Sequence, residues 1–132
     1  MPLNLSMNNL TTILILGLAI SFFIYKKKKM NENAISVESL RSKLKTEQNI
    51  GVLDVRTTNE YNGPKGHIPG SLSIPLSDIS DHLDEIKSKK FDQLYVVCLS
   101  GARSASALSI LNKNGINAQN VKGGMMAWNR MK

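Results

Sequence analysis

The hydrophobic pattern changes character near residue 30. Leu10 to Tyr25 reads LTTILILGLAISFFIY, 16 residues without a charge, and Lys26 to Lys29 close it. A helix of this composition is apolar on every face, so it needs lipid or a large core around it. Spanning a bilayer takes ~20 apolar residues. Leu3, Leu5 and Met7 lengthen the stretch, and lysine stems can reach outward from its end.

After residues 30 to 34, which read as a short polar linker, short apolar runs alternate with segments of helical spacing. Ser36 is placed to cap a helix carrying Val37, Leu40 and Leu44 on one face, with Ile35 and Leu40 as a hydrophobic staple. Ile50 to Val55 (IGVLDV) and Leu94 to Cys98 (LYVVC) have the continuous apolar look of buried parallel strands. Ser71 to Ile74 and Ala118 to Val121 supply two shorter strands. Ser77 to Lys89 predicts a helix through Ile79, Leu83 and Ile86, and Arg103 to Asn112 predicts another, stopped by Asn114-Gly115. A last short helix contains Trp128. Strands and helices in alternation predict an α/β domain built on a parallel sheet, whose working site lies beyond the carboxyl ends of the strands. The expected organisation is a membrane anchor over 1–30 and one domain over 31–132.

Charge supports that division. The chain has 17 basic and 10 acidic residues, four of the basic ones being Lys26 to Lys29, and every acidic residue follows that run. The remaining 13 against 10 make an ordinary soluble surface, without the aromatic-rich basic stripe or zinc-ligand pairs of nucleic-acid modules; no nucleic-acid partner is expected. A secretory leader carries its positive charge before the apolar stretch, and here it follows, although Gly17-Leu18-Ala19 imitates a cleavage site. The positive-inside rule then predicts a single-pass protein, inserted through residues 10–25, with the domain on the cytoplasmic side. Thiols stay reduced there.

That matters because the chain has one cysteine, Cys98, which excludes an intrachain disulfide. A strand-ending cysteine can be a small buried hydrophobe, a redox-exposed thiol or a nucleophile. The segment CLSGARS joins a strand to a helix, and Gly101 lets the loop curl so that successive N–H groups face the sulfur. Such a nest at a helix N-terminus stabilises an anion and favours the reactive thiolate. Arg103 can add a full positive charge beside it.

From about Ile35 to Lys132 the chain resembles the single-domain rhodanese family of sulfurtransferases. The stretches carrying the resemblance are LDVRTTNEY at Leu53 to Tyr61, GHIPGSLSIPL at Gly66 to Leu76, YVVCLSGARS at Tyr95 to Ser104 and VKGGMMAW at Val121 to Trp128. The resemblance implies a rhodanese-like parallel sheet of about five strands with helices on both faces, here preceded by one N-terminal transmembrane helix. It implies a persulfide relay: Cys98 takes a sulfane sulfur from a small donor such as thiosulfate and passes it to cyanide, a thiol or a protein acceptor. Cys98 and Arg103 are the implied catalytic residues, with Leu99, Ser100, Gly101, Ala102 and Ser104 around the substrate, and neither metal nor organic cofactor is implied. Asp54, Arg56 and Glu60 correspond to a structural framework in which Arg56 pairs with a carboxylate. His67 corresponds to a turn-tying residue and Trp128 to core. Leu99 stands where thiosulfate-using relatives often carry a polar or basic residue, leaving Arg103 as the pocket's main charge.

Two other functions share these features. Phosphatases and arsenate reductases of related fold have a cysteine loop one residue longer, whereas Cys98 to Arg103 spans six residues. A non-catalytic, membrane-tethered binding module is the other alternative, and relatives of that kind usually lack the cysteine.

Overall fold

A computed structural model describes residues 7–131. They fall into two units, one ending at Glu32 and the other beginning at Asn33. The first is a helix, α1 (Met7–Glu32), of 26 residues. At 1.5 Å per residue it is about 39 Å long. Its large apolar side chains from Leu10 to Tyr25 are each more than half exposed, and Asn8–Lys29 is long and apolar enough to cross a membrane. Leu3 and Leu5 lie outside the described residues. The linker expected at 30–34 is replaced by the end of α1 and the start of a strand, because no glycine or proline stops the helix after the lysines.

In the second unit five parallel strands form one sheet among the described residues: β1 (Ala34–Ile35), β2 (Ile50–Asp54), β3 (Leu72–Ser73), β4 (Gln93–Val97) and β5 (Ala118–Val121), in the order β1-β5-β4-β2-β3. Successive side chains of a strand point to opposite faces. Leu94, Val96 and Cys98 therefore share one face with Leu53, while Tyr95 and Val97 share the other with Val52. Both faces are covered. This is why the central strands read as unbroken apolar runs.

On the first face lie a 3₁₀ helix (Leu76–Asp81), α4 (Leu83–Ser88) and α5 (Ala102–Lys113), which contribute Ile79, Ile86, Ala107 and Leu111 to the core. The single helix expected over Ser77 to Lys89 is thus two pieces, broken at His82, whose backbone (φ −114°, ψ 12°) leaves the helical region. Ile79 and Ile86 still reach the core, each contributing ~1.5–3 kcal/mol by burial. On the second face α2 (Val37–Thr46) buries Val37 and Leu40, with Ser36 capping it by accepting the Ser39 N–H at 3.1 Å. Beside it α6 (Gly124–Arg130) buries Met125 and Trp128, and the Arg41 guanidinium stacks 4.2 Å from the Trp128 ring. Trp128 is core.

The chain leaves β2 through a buried ion pair. Arg56 Nη2 donates to Asp54 Oδ2 at 2.8 Å, Nε donates to both Asp54 oxygens, and Nη2 also reaches the Gly66 carbonyl at 2.8 Å. The side chains are 1% and 0% exposed, so removing one partner would strand a buried charge at a cost of about 3–5 kcal/mol. A one-turn helix, α3 (Thr58–Tyr61), follows. His67 stacks on Tyr61 at 3.7 Å and donates from Nδ1 to the Tyr61 carbonyl at 2.9 Å, which closes the turn at 61–67.

Candidate active site

Cys98 continues the alternation of β4 toward α5 and is 1% exposed. The turn after it depends on Gly101, whose φ of 123° is open to glycine and strained for other residues. Gly101 has no side chain with which to cap α5, a helix of 12 residues, so the free amides of its first turn are available to another acceptor. The cysteine sulfur is that acceptor: the Gly101 N–H donates to Sγ at 3.0 Å. The Ser104 hydroxyl lies 3.4 Å from Sγ on the other side.

Burial alone would push the Cys98 thiol up. The Ser104 hydroxyl and the backbone N–H groups of Ser104, Gly101 and Ser100 outweigh it, and the net shift is downward. Of the loop's amides, the Gly101 N–H is the one that donates to Sγ, and the backbone N–H groups of Ser104 and Ser100 act on the sulfur through their charge. Leu99 instead packs partly against the α2/α6 face of the core, and Ala102 is exposed at the start of α5.

Arg103 departs from expectation in one respect. Its fork is closed on Glu60, Nη1 donating to Oε2 at 2.6 Å and Nη2 to Oε1 at 2.9 Å. The Arg103 contact, together with the Thr57 N–H, lowers the Glu60 carboxyl to about 2. Glu60 raises the Arg103 pKa in turn. The loop charge is thus a neutralised pair fixed in direction, not a free cation. The framework carboxylate of Arg56 is Asp54, and Glu60 belongs to Arg103.

Three contributions escape a reading of the sequence alone. Glu60 is 43 positions from Arg103, with no local signal linking them. The Met125 and Met126 N–H groups at the start of α6 donate to the carbonyls of Cys98 and Leu99 at 2.8 and 3.1 Å, so VKGGMMAW clamps the cysteine loop from behind. Asn120 Oδ1 lies 2.6 Å from the Ser104 hydroxyl; its signal is a polar amide inside a strand, where asparagine is depleted. Beside the loop Arg56, Asn59, Glu60, Pro64, Lys65 and Leu99 line a cleft of about 280 Å³.

Comparison with known proteins agrees with this geometry. Residues 36–131 match the rhodanese-like domain family. A sulfurtransferase of Allochromatium vinosum is 33% identical over 99 residues, covering 74% of this chain and 89% of that protein. YrkF of Bacillus subtilis, named as a sulfur carrier, is 36% identical over 95 residues, 71% of this chain and 49% of its own length, so the chain spans about half of that relative. The crystal structure of a rhodanese-like domain protein from Staphylococcus aureus superposes with a TM-score of 0.65 at 38% identity, covering 73% of this chain and 90% of that one. With its parallel sheet, strand-ending cysteine loop and these relatives, the chain belongs to the rhodanese-like sulfurtransferase family.

Proposed function

We propose that Cys98 is the sulfur carrier of a persulfide relay. The observation that carries this reading is the Gly101 N–H donating to Sγ at 3.0 Å, at the N-terminus of α5. In the first step the Cys98 thiolate attacks the sulfane sulfur of a donor. A sulfur–sulfur bond forms, the donor's bond to that sulfur breaks, and its remainder leaves with the electron pair, as sulfite where the donor is thiosulfate. In the second step an acceptor, cyanide or a thiolate, attacks the outer sulfur and restores the Cys98 thiolate. The inward amides stabilise negative charge at both stages. Burial of Cys98 also suits a carrier: the persulfide moves the reactive sulfur outward by ~2 Å, toward an acceptor too large to reach Sγ.

Leu99 and the neutralised Arg103–Glu60 pair leave little free positive charge within the loop itself, Lys65 lining the neighbouring cleft. This favours a donor or acceptor with an organic body over thiosulfate. A panel of thiosulfate, organic persulfides and polysulfide, offered to the purified full chain in detergent, tests the reading. Transfer from at least one donor in wild type and none in Cys98→Ser is expected; transfer by Cys98→Ser would overturn it.

The 26-residue helix α1, apolar from Leu10 to Tyr25, supports a single-pass anchor, and the lysines after that run support a cytoplasmic domain. Ser106 is exposed, so a Cys98→Ser, Ser106→Cys double variant should react with an impermeant maleimide only after lysis. Labelling of intact cells, or recovery of a processed form lacking the helix, would contradict this placement.

A further inference from the structure

Ser104 is fully buried, and its hydroxyl has three neighbours: Cys98 Sγ at 3.4 Å, Asn120 Oδ1 at 2.6 Å and the Gly101 carbonyl at 2.9 Å. A hydroxyl has one proton to give. While Cys98 is a thiol the arrangement is satisfied, because S–H donates to Ser104 Oγ and Ser104 donates to Asn120 or to the Gly101 carbonyl. Once Cys98 carries negative charge, as thiolate or as persulfide, the sulfur becomes an acceptor. Three acceptors then face one proton. A buried polar group left without its partner costs ~1–3 kcal/mol, so the competition bears directly on the charged sulfur.

Of these neighbours, the Gly101 carbonyl can only accept. Asn120 can reverse. Its amide presents an acceptor and a donor of nearly equal size, and a half-turn about its last bond would point Nδ2–H at Ser104 Oγ. The Ser104 proton would then be released to the sulfur. The backbone keeps Asn120 at this distance: it stands in β5, in register with Val96 of β4 on one side and Ala34 of β1 on the other.

We propose that Asn120 is a positioning residue that turns its side-chain amide with the charge on Cys98, directing the Ser104 hydroxyl proton toward the sulfur when that sulfur is anionic. The inference rests on the persulfide reading of Cys98 and adds a residue that acts on the sulfur through Ser104.

The test is the pH dependence of Cys98 alkylation by iodoacetamide, measured on the full chain in detergent. Asn120→Asp is isosteric but only accepts and carries a negative charge. It should therefore hold the Ser104 proton away from the sulfur, repel the thiolate and alkylate about tenfold more slowly than wild type near neutral pH. The part due to charge alone is read from the same substitution in a Ser104→Ala background. Asn120→Ala should fall between them. A packing role alone gives the opposite order, because aspartate fills the site and alanine does not. In a Ser104→Ala background, Asn120→Ala should change nothing further, since the intermediary is gone. Should Asn120→Asp not unfold cooperatively, the comparison of Asn120→Ala with and without Ser104→Ala carries the test. Superimposable profiles for wild type and Asn120→Ala, or additive effects of Asn120→Ala and Ser104→Ala, would overturn the proposal. Alkylation needs no sulfur donor, so a wild type that fails to load sulfur is a failure of the persulfide reading alone.

Discussion

Arg103 and Glu60, 43 positions apart, meet in a two-bond fork of 2.6 and 2.9 Å that joins the cysteine loop to α3. The oxygen that accepts from Arg103 Nη1, Oε2, also accepts the Thr57 N–H at 2.9 Å, so the carboxylate that orients the guanidinium is itself held in place. Arg103→Ala should therefore leave Glu60 as an uncompensated negative charge near the sulfur, a change that raises the thiol pKa. A loss of about tenfold or more in kcat/KM for sulfur transfer is expected near neutral pH, with partial recovery in Arg103→Lys, whose point charge cannot reproduce the fork. A pH–rate profile of Arg103→Ala identical to wild type would remove Arg103 from the mechanism.

The same pair gives a pH dependence of stability. The Glu60 carboxyl sits at about 2 in the folded protein against an ordinary 4.5, a depressed value, so its contribution is fully present above about 4.5 and is lost as pH falls toward about 2. The two side chains are 34% and 35% exposed, so solvent screening limits the effect to about 1 kcal/mol. Thermal unfolding of wild type and Glu60→Gln should differ near neutral pH and converge in strong acid. A gap that stays constant or widens on acidification would contradict the assignment.

Much of the domain was legible because burial on both faces leaves a simple mark. LYVVC and IGVLDV can hardly be anything but central strands, and CLSGARS announces a strand-to-helix loop around Cys98. The rest was hidden for physical reasons. Apolar residues at 79, 83 and 86 have the same spacing in one helix or in a 3₁₀ turn followed by a short helix, so the break at His82 leaves no trace. Ala34–Ile35 is too short to show a period of two. The pairing of Glu60 with Arg103 depends on how α3 meets α5, which no local pattern encodes, and nothing within VKGGMMAW announces the contacts that Gly124 makes.

Those contacts lead to a prediction at Gly124. Its φ is +58°, and a Cβ there would overlap the carbonyl oxygens of Cys98 and Leu99, the latter at 2.6 Å. Gly124→Ala should cost about 2 kcal/mol or more and slow sulfur loading, by displacing the loop that α6 clamps. Gly115 is the control: its φ of +77° is similarly strained, but nothing lies within 4 Å. Gly115→Ala should cost about 1–2 kcal/mol from backbone strain alone and leave Cys98 reactivity unchanged. Equal effects of the two substitutions on stability and loading would show that the clamp does not position the loop.

The persulfide itself is the most direct test. Full-length protein in detergent, treated with the best donor of the panel, should gain the mass of one sulfur atom on the peptide containing Cys98, and cyanide or a thiol should remove it. Cys98→Ser should stay folded and gain nothing, because a serine hydroxyl near neutral pH is a far weaker nucleophile. A wild-type protein that remains folded yet gains no sulfur from any donor would contradict the relay; release of phosphate from a phenyl phosphate ester by that same protein would assign the loop to phosphoryl chemistry instead.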